Sequence, residues 1–240
     1  MARPKKKKSF SGVSIIILLI TSVFPQNAES FSYTITGAST SFSSIAAIGT
    51  APALTPQGNQ GYGYATINIP FSFTLDPAHN PLSAQYTSST SPTQQLFATN
   101  NGEIFLGSYF TISGSLGLCC SSCSNNAARV AVINCNGIYS SNIYYFIKSS
   151  SVIISYENVK FSPTSTDSLN AQAELFANGN VELRFGGNAS LYGNECDVGI
   201  GDAYVYSCFG IPYGNCNSSG VCTSFPYDHE YLFGKYKPQY

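Results

Sequence analysis

Two Asn-Gly steps, each set between runs that alternate apolar and polar residues, constrain this chain more than any other feature. Residues 172–177 and 180–185 flank Asn178-Gly179, and residues 96–100 and 103–106 flank Asn101-Gly102. Alternation with a period of two is a strand signature, and Asn-Gly tolerates the two positive φ angles of a type I′ turn. Around Asn178-Gly179 this predicts a β-hairpin with a type I′ turn, and the second site carries the same pattern. Ala173, Leu175, Ala177, Val181, Leu183 and Phe185 fall on one face of the first hairpin; Glu174, Glu182 and Arg184 fall on the other. Gly102 and Gly179 supply positive φ. A third hairpin is expected from residues 142–147 and 151–156, joined through Lys148, Ser149 and Ser150. No helical periodicity of any length interrupts this pattern. Strand-forming runs recur between Gly, Asn, Pro and Ser, giving about ten short strands. The expected fold class is all-β: an antiparallel two-sheet β-sandwich with disulfide-bonded loops.

The N-terminus sets the expected compartment. Arg3 and Lys5 to Lys8 precede an apolar run at 13–24, and Ala28 and Ser30 are small residues at the −3 and −1 positions of a cut between Ser30 and Phe31. This is the pattern of a secretory signal peptide over residues 1–30. The apolar run is 12 residues long, against the ~20 of a transmembrane helix. An uncleaved anchor is the alternative. No other run approaches spanning length, so no membrane span is expected after removal of the signal. The whole chain has 11 basic and 12 acidic residues; residues 1–30 hold five of the basic ones and one acidic one, so the rest carries 6 and 11, a net charge of −5. That balance leaves nothing basic to track a phosphate backbone and excludes nucleic acid as a partner. The expected localisation is secreted and extracellular.

All eight cysteines follow the proposed cut: Cys119, Cys120, Cys123, Cys135, Cys196, Cys208, Cys216 and Cys222. An even number in an oxidising compartment reads as disulfides. Cys120 and Cys123 have the spacing of a redox or zinc pair, but no second metal pair accompanies them and neither His79 nor His229 lies near a cysteine in sequence. The cysteines form two groups, 119–135 and 196–222. Bonds within each group and bonds joining the groups are equally open. Asn188 and Asn217 head Asn-X-Ser triplets in Gly/Asn-rich stretches and are the glycosylation candidates.

Five motifs, in order, resemble the nidogen-like extracellular β-module. They are Ile69-Pro70-Phe71-Ser72-Phe73, residues 98–107 around Asn101-Gly102, residues 152–159 ending in Tyr156-Glu157-Asn158-Val159, residues 173–186 around Asn178-Gly179, and residues 198–203. The resemblance covers residues 62–206 and implies a β-sandwich module of secreted modular proteins. Where that family carries an aromatic and acidic pair, this chain has Val132-Ile133-Asn134-Cys135-Asn136. It has no Trp, and Tyr156 stands where one is expected. The resulting division is a signal at 1–30, a Ser/Thr-rich lead-in at 31–61, the β-sandwich domain at 62–206 and a Cys/Pro/Tyr-rich tail at 207–240. Phe71 and Phe73 share a parity and are expected in the core, while Pro70 needs a position without a ladder donor.

Catalytic patterns are poor. There is no G-x-S-x-G elbow and no H-E-x-x-H. Asp228-His229-Glu230 cannot all face one substrate on a strand and is expected in a solvated loop. Glu195, Asp197 and Asp202 are too few for a calcium loop and do not follow EF-hand spacing. No catalytic, cofactor-binding or metal residue is assigned. The chain is expected to be a non-enzymatic interaction or structural protein of the matrix or cell surface, active in adhesion, with an extracellular protein or glycan as partner. The alternative is a secreted carbohydrate-binding module, since the 17 tyrosines permit aromatic platforms for sugars.

Overall fold

The computed structural model describes residues 33–39, 41–57, 62–73, 75, 93–106, 128–135, 138–187, 196–201, 208–210, 221–222 and 229–235. These residues contain strands and no helix. In chain order they are β1 (Tyr33–Ser39), β2 (Thr55–Gln57), β3 (Tyr62–Phe73), β4 (Thr93–Thr99), β5 (Glu103–Leu106), β6 (Arg129–Cys135) and β7 (Ser140–Ile147). Then come β8 (Ser151–Lys160), β9 (Leu169–Phe176), β10 (Val181–Gly187), β11 (Cys196–Gly201), β12 (Cys208–Gly210), β13 (Val221–Cys222) and β14 (His229–Lys235).

They build two antiparallel sheets. A six-stranded sheet runs β1-β14-β10-β9-β8-β7. An eight-stranded sheet holds β12-β11-β6-β5-β4-β3-β2, with β13 also paired to β11. One apolar core draws on both sheets: Ile67, Leu96, Ile104 and Val130 from one, Ile154, Ala173, Leu183 and Phe233 from the other. A shared core between two sheet faces is the sandwich arrangement. The alternation that predicted the strands is visible in β3, where Ala65, Ile67, Ile69 and Phe73 are buried while Thr66, Asn68 and Pro70 are exposed. Phe71 is half-buried against the core. Pro70 lies between the pairs Asn68↔Gln95 and Phe73↔Thr93, where the register with β4 shifts, so its missing N–H interrupts no regular rung.

Both Asn-Gly hairpins form, with a turn that differs from the expected type I′. Leu175 pairs with Val181, and Phe176 N–H donates to the Asn180 carbonyl, so the loop is the three residues 177–179. Gly179 has φ of 84°, whereas Asn158 is the one non-glycine with positive φ among the described residues, so Asn178 has none. This is a type I turn closed by a glycine bulge, which needs only one positive φ. The β4–β5 hairpin repeats it: Ala98 pairs with Ile104, Gly102 N–H donates to the Thr99 carbonyl, and Gly102 has φ of 92°. Ala177 sits exposed in the first turn instead of joining the buried row.

The sheets extend beyond residues 62–206. From the lead-in, β1 and β2 form an edge of each sheet. The expected loop at residues 229–230 is instead the start of β14, which inserts between β1 and β10. The reason is apolar: Phe233 pairs with Val181 and is fully buried, so the tail completes the core.

Residues 41–50 run as a strap across the outer face of the six-stranded sheet. Phe42 lies over Gly186, where a Cβ would come within 2.2 Å of the Phe42 Cβ. Gln172 Nε2 donates to the Ser43 carbonyl at 2.8 Å. Glu157 accepts from Ser44 Oγ at 2.5 Å, from Ile45 N–H at 3.0 Å and from Ser155 Oγ at 2.9 Å. The strap explains how polar Gln172, Ser155 and Glu157 are buried on an outward face.

Candidate functional site

The outer face of the eight-stranded sheet carries the largest buried polar group among the described residues: Thr99, Asn101, Glu103, Arg129, Asn134 and Asp197. A bulge in β6 gathers it. The Gly102 carbonyl accepts from both Val132 and Ile133 N–H, and between the pairs Asp197↔Asn134 and Gly199↔Ala131 β6 has one more residue than β11. The extra residue reverses the parity of β6. Val130, Val132, Ile133 and Cys135 therefore all belong to the core, while Asn134 turns outward with Arg129.

Arg129 Nη1 lies 3.1 Å from Glu103 Oε1. Asn101 Nδ2 donates to Glu103 Oε2 at 3.4 Å and to Asn134 Oδ1 at 3.2 Å, and Asn134 Nδ2 donates to Asp197 Oδ2 at 3.3 Å. Thr99 Oγ1 donates to Asn101 Oδ1 and accepts from Glu103 N–H. Burial, with the nearby Asp197 charge, raises the Glu103 carboxyl above the usual carboxylate range against the opposing pull of Arg129. From the other sheet, Tyr156 reaches across the core and donates its hydroxyl to the Glu103 carbonyl at 3.1 Å. Burial, with the Glu103 charge, pushes that phenol well above its usual range. Next to the group, Tyr64, Phe97 and Phe105 form a small apolar cluster, with Tyr64 and Phe97 edge to face at 5.9 Å.

This arrangement fixes the β4–β5 turn against β6 and β11. It places no nucleophile beside a base. Among the described residues no group of three or more His, Cys, Asp or Glu could hold a metal ion. Sequence reasoning passed over Glu103, Arg129 and Asn134. The available signal was a charge at the head of each of two runs that continue apolar, Glu103 before Ile104-Phe105-Leu106 and Arg129 before Val130-Ala131-Val132-Ile133.

The outer face of the six-stranded sheet carries a charged row. Glu174 accepts from Lys148 Nζ at 2.8 Å, from Ser151 Oγ at 2.7 Å and from Arg184 Nη2 at 3.0 Å. Arg184 also lies 2.6 Å from Glu182 and 3.7 Å from Glu230. Burial alone would raise Glu174, but these three donors outweigh it and hold the carboxyl below its usual range. A depressed carboxylate stabilises the fold above its unfolded pKa, and that contribution is lost as pH falls through the folded one. Glu103, held high, acts in the opposite sense. Glu174→Gln should therefore lower the urea midpoint at neutral pH and flatten its decline towards roughly pH 3. An undiminished acid-side decline in that variant would contradict the assignment.

Of the cysteines, Cys135 and Cys196 form a disulfide, at the end of β6 and the start of β11, directly opposite each other. This bond joins the two sequence groups, resolving one of the alternatives left open. No cysteine is free among the described residues. The backbone of Cys222 pairs with Cys196 and that of Cys208 with Gly201. Cys119, Cys120, Cys123 and Cys216 lie outside the described residues, as do Asn188, Asn217, Ser30, Phe31, His79 and Asp228. His229 pairs with Ser39 and Phe185 along the backbone. Among the described residues no helix is long and apolar enough to cross a membrane. The chain matches no known protein family, no curated protein and no solved structure.

Proposed function

We propose that this chain is a secreted, non-enzymatic interaction or structural module of the matrix or cell surface, of the nidogen-like kind. The observation that carries the reading is the Cys135–Cys196 bond inside the core. Such bonds persist in oxidising compartments, and the bond agrees with the export pattern of residues 1–30. The described residues of the five motifs that resemble the module lie on β3, the β4–β5 hairpin, β8, the β9–β10 hairpin and β11. Glycans on Asn188 and Asn217 belong to the same reading. The carbohydrate-binding alternative rests on paired exposed aromatic rings. Among the described side chains, Tyr139 is the one strongly exposed tyrosine.

The test is capture on the immobilised, oxidised protein from the extracellular fluid in which it occurs. The expected result is retention of a protein or glycoprotein that free sugars do not elute. Elution by a simple sugar would instead support the carbohydrate-binding reading, and turnover of a captured partner would overturn the non-enzymatic one.

A further inference from the structure

The geometry points to β7 as a pairing edge for a second copy of this chain, guarded by a bridge from Thr50. β7 is the last strand of the six-stranded sheet. In its pairing with β8, Lys148 N–H donates to the Ser151 carbonyl, so alternate residues back along the strand (Ile147, Tyr145, Ile143) turn their N–H and C=O away from β8. Tyr145 uses both groups on Thr50: its N–H donates to the Thr50 carbonyl at 2.9 Å, and it accepts from Thr50 N–H at 2.8 Å. This is an isolated antiparallel bridge. The next rung would pair residue 52 with Ile143, and residue 52 is Pro, which has no N–H to give. The chain splays there, and a shallow depression of about 180 Å³ opens between Pro52, Leu54 and residues Ser141, Ile143 and Tyr144.

Natural edges are blunted by shortness, charge or proline. In the eight-stranded sheet, β2 and β12 are three residues long, and β2 contains Pro56. β7 has eight residues, SSNIYYFI, with no charge and no proline, and its flanking Tyr139 and its own Ile147 are 62% and 37% exposed. Its only blunting device among the described residues is the Thr50 bridge.

The occupant is a second copy because β7 complements itself. A twofold axis at Tyr145 places Tyr145 opposite its mate and Ile143 opposite Ile147 of the other copy. Residues 139–147 are uncharged and Lys148 comes opposite Asn142, so no like charges meet. The two six-stranded sheets then become one. Thr50 and the incoming strand compete for the same Tyr145 groups, so opening the bridge gates assembly. This inference does not depend on secretion or on the identity of any other partner.

The test uses the oxidised full chain as recovered from the producing cell, in sedimentation over a concentration series. Thr50→Pro removes the N–H of the bridge and should tighten self-association roughly tenfold, the worth of one to two net hydrogen bonds. Adding Ile147→Lys to it should return the protein to monomer. Hydrogen exchange on the unaltered protein keeps the inference testable if Thr50→Pro fails to fold. Ile143 and Ile147 amides should exchange fast when dilute and slow as concentration rises, while Tyr145 stays protected throughout. A monomer at every concentration in both proteins would overturn the inference. So would a dimer that survives Ile147→Lys, or amides at 143 and 147 protected at all dilutions, which would mean that a segment of the same chain covers the edge.

Discussion

Gly102→Ala is expected to lower the stability of this protein by about 4 kcal/mol. Two costs combine. The backbone holds φ at 92°, where an L side chain is strained by about 1–3 kcal/mol. A Cβ there would also stand 2.2 Å from the Ile133 carbonyl oxygen and 2.6 Å from its carbon, contacts with backbone that no rotamer relieves. Forced overpacking costs a further ~1–3 kcal/mol. The Gly102 carbonyl in turn holds the β6 bulge, accepting from both Val132 and Ile133 N–H. Shifting the turn would disturb Asn134 and the buried Glu103–Arg129 pair together. Gly179→Ala is the comparison. Gly179 has a similar φ of 84° in the same kind of loop, so it should lose the ~1–3 kcal/mol of backbone strain. Denaturant midpoints for the two variants decide the matter, and equal losses would mean that the close approach to Ile133 is unimportant.

Replacing Cys135 and Cys196 together by Ala should cost about 4 kcal/mol. The bond closes a loop with a sequence separation of 61, and restricting an unfolded loop of that length stabilises by about 4 kcal/mol in the chain-entropy account. Against a total stability of ~5–15 kcal/mol this is a large share. For a chain of this size it corresponds to a fall in melting temperature of roughly 10 °C. Bonded to each other and buried in the core, the two cysteines offer no thiol, so native protein should resist thiol labelling at these positions. A double variant that melts with the parent would show that the bond braces nothing.

The local strand pairs were legible because each rests on neighbours in sequence. Alternation in residues 172–185 and 96–106 named both the hairpins and their buried faces. The turn type was not legible, because Asn-Gly, though favoured in a two-residue type I′ loop, also fits a three-residue loop closed by a glycine bulge. Distant partners were hidden for a different reason. β1 and β14 lie almost two hundred residues apart, and nothing in either segment states that Ile35 will sit opposite Phe233. The strap at 41–50 was hidden because Phe42 and Ile45 stand among Ser and Ala without a strand period, and its links to Glu157 and Gln172 come from the Ser44 hydroxyl and from backbone groups, which a hydrophobic pattern does not show. The polar group around Glu103 depends on the parity reversal in β6. Read without that bulge, Asn134 would have been assigned to the core face and its meeting with Asp197 missed.

We propose that the sandwich is exported, and the Cys135–Cys196 bond braces it between the two cysteine groups. Non-reducing peptide mapping of the protein recovered from outside the producing cell tests it in one spectrum. The expected spectrum shows a mature N-terminus at Phe31 and a cross-linked peptide containing Cys135 and Cys196. An intact Met1 held in the membrane fraction, or Cys135 and Cys196 found as free thiols, would contradict it.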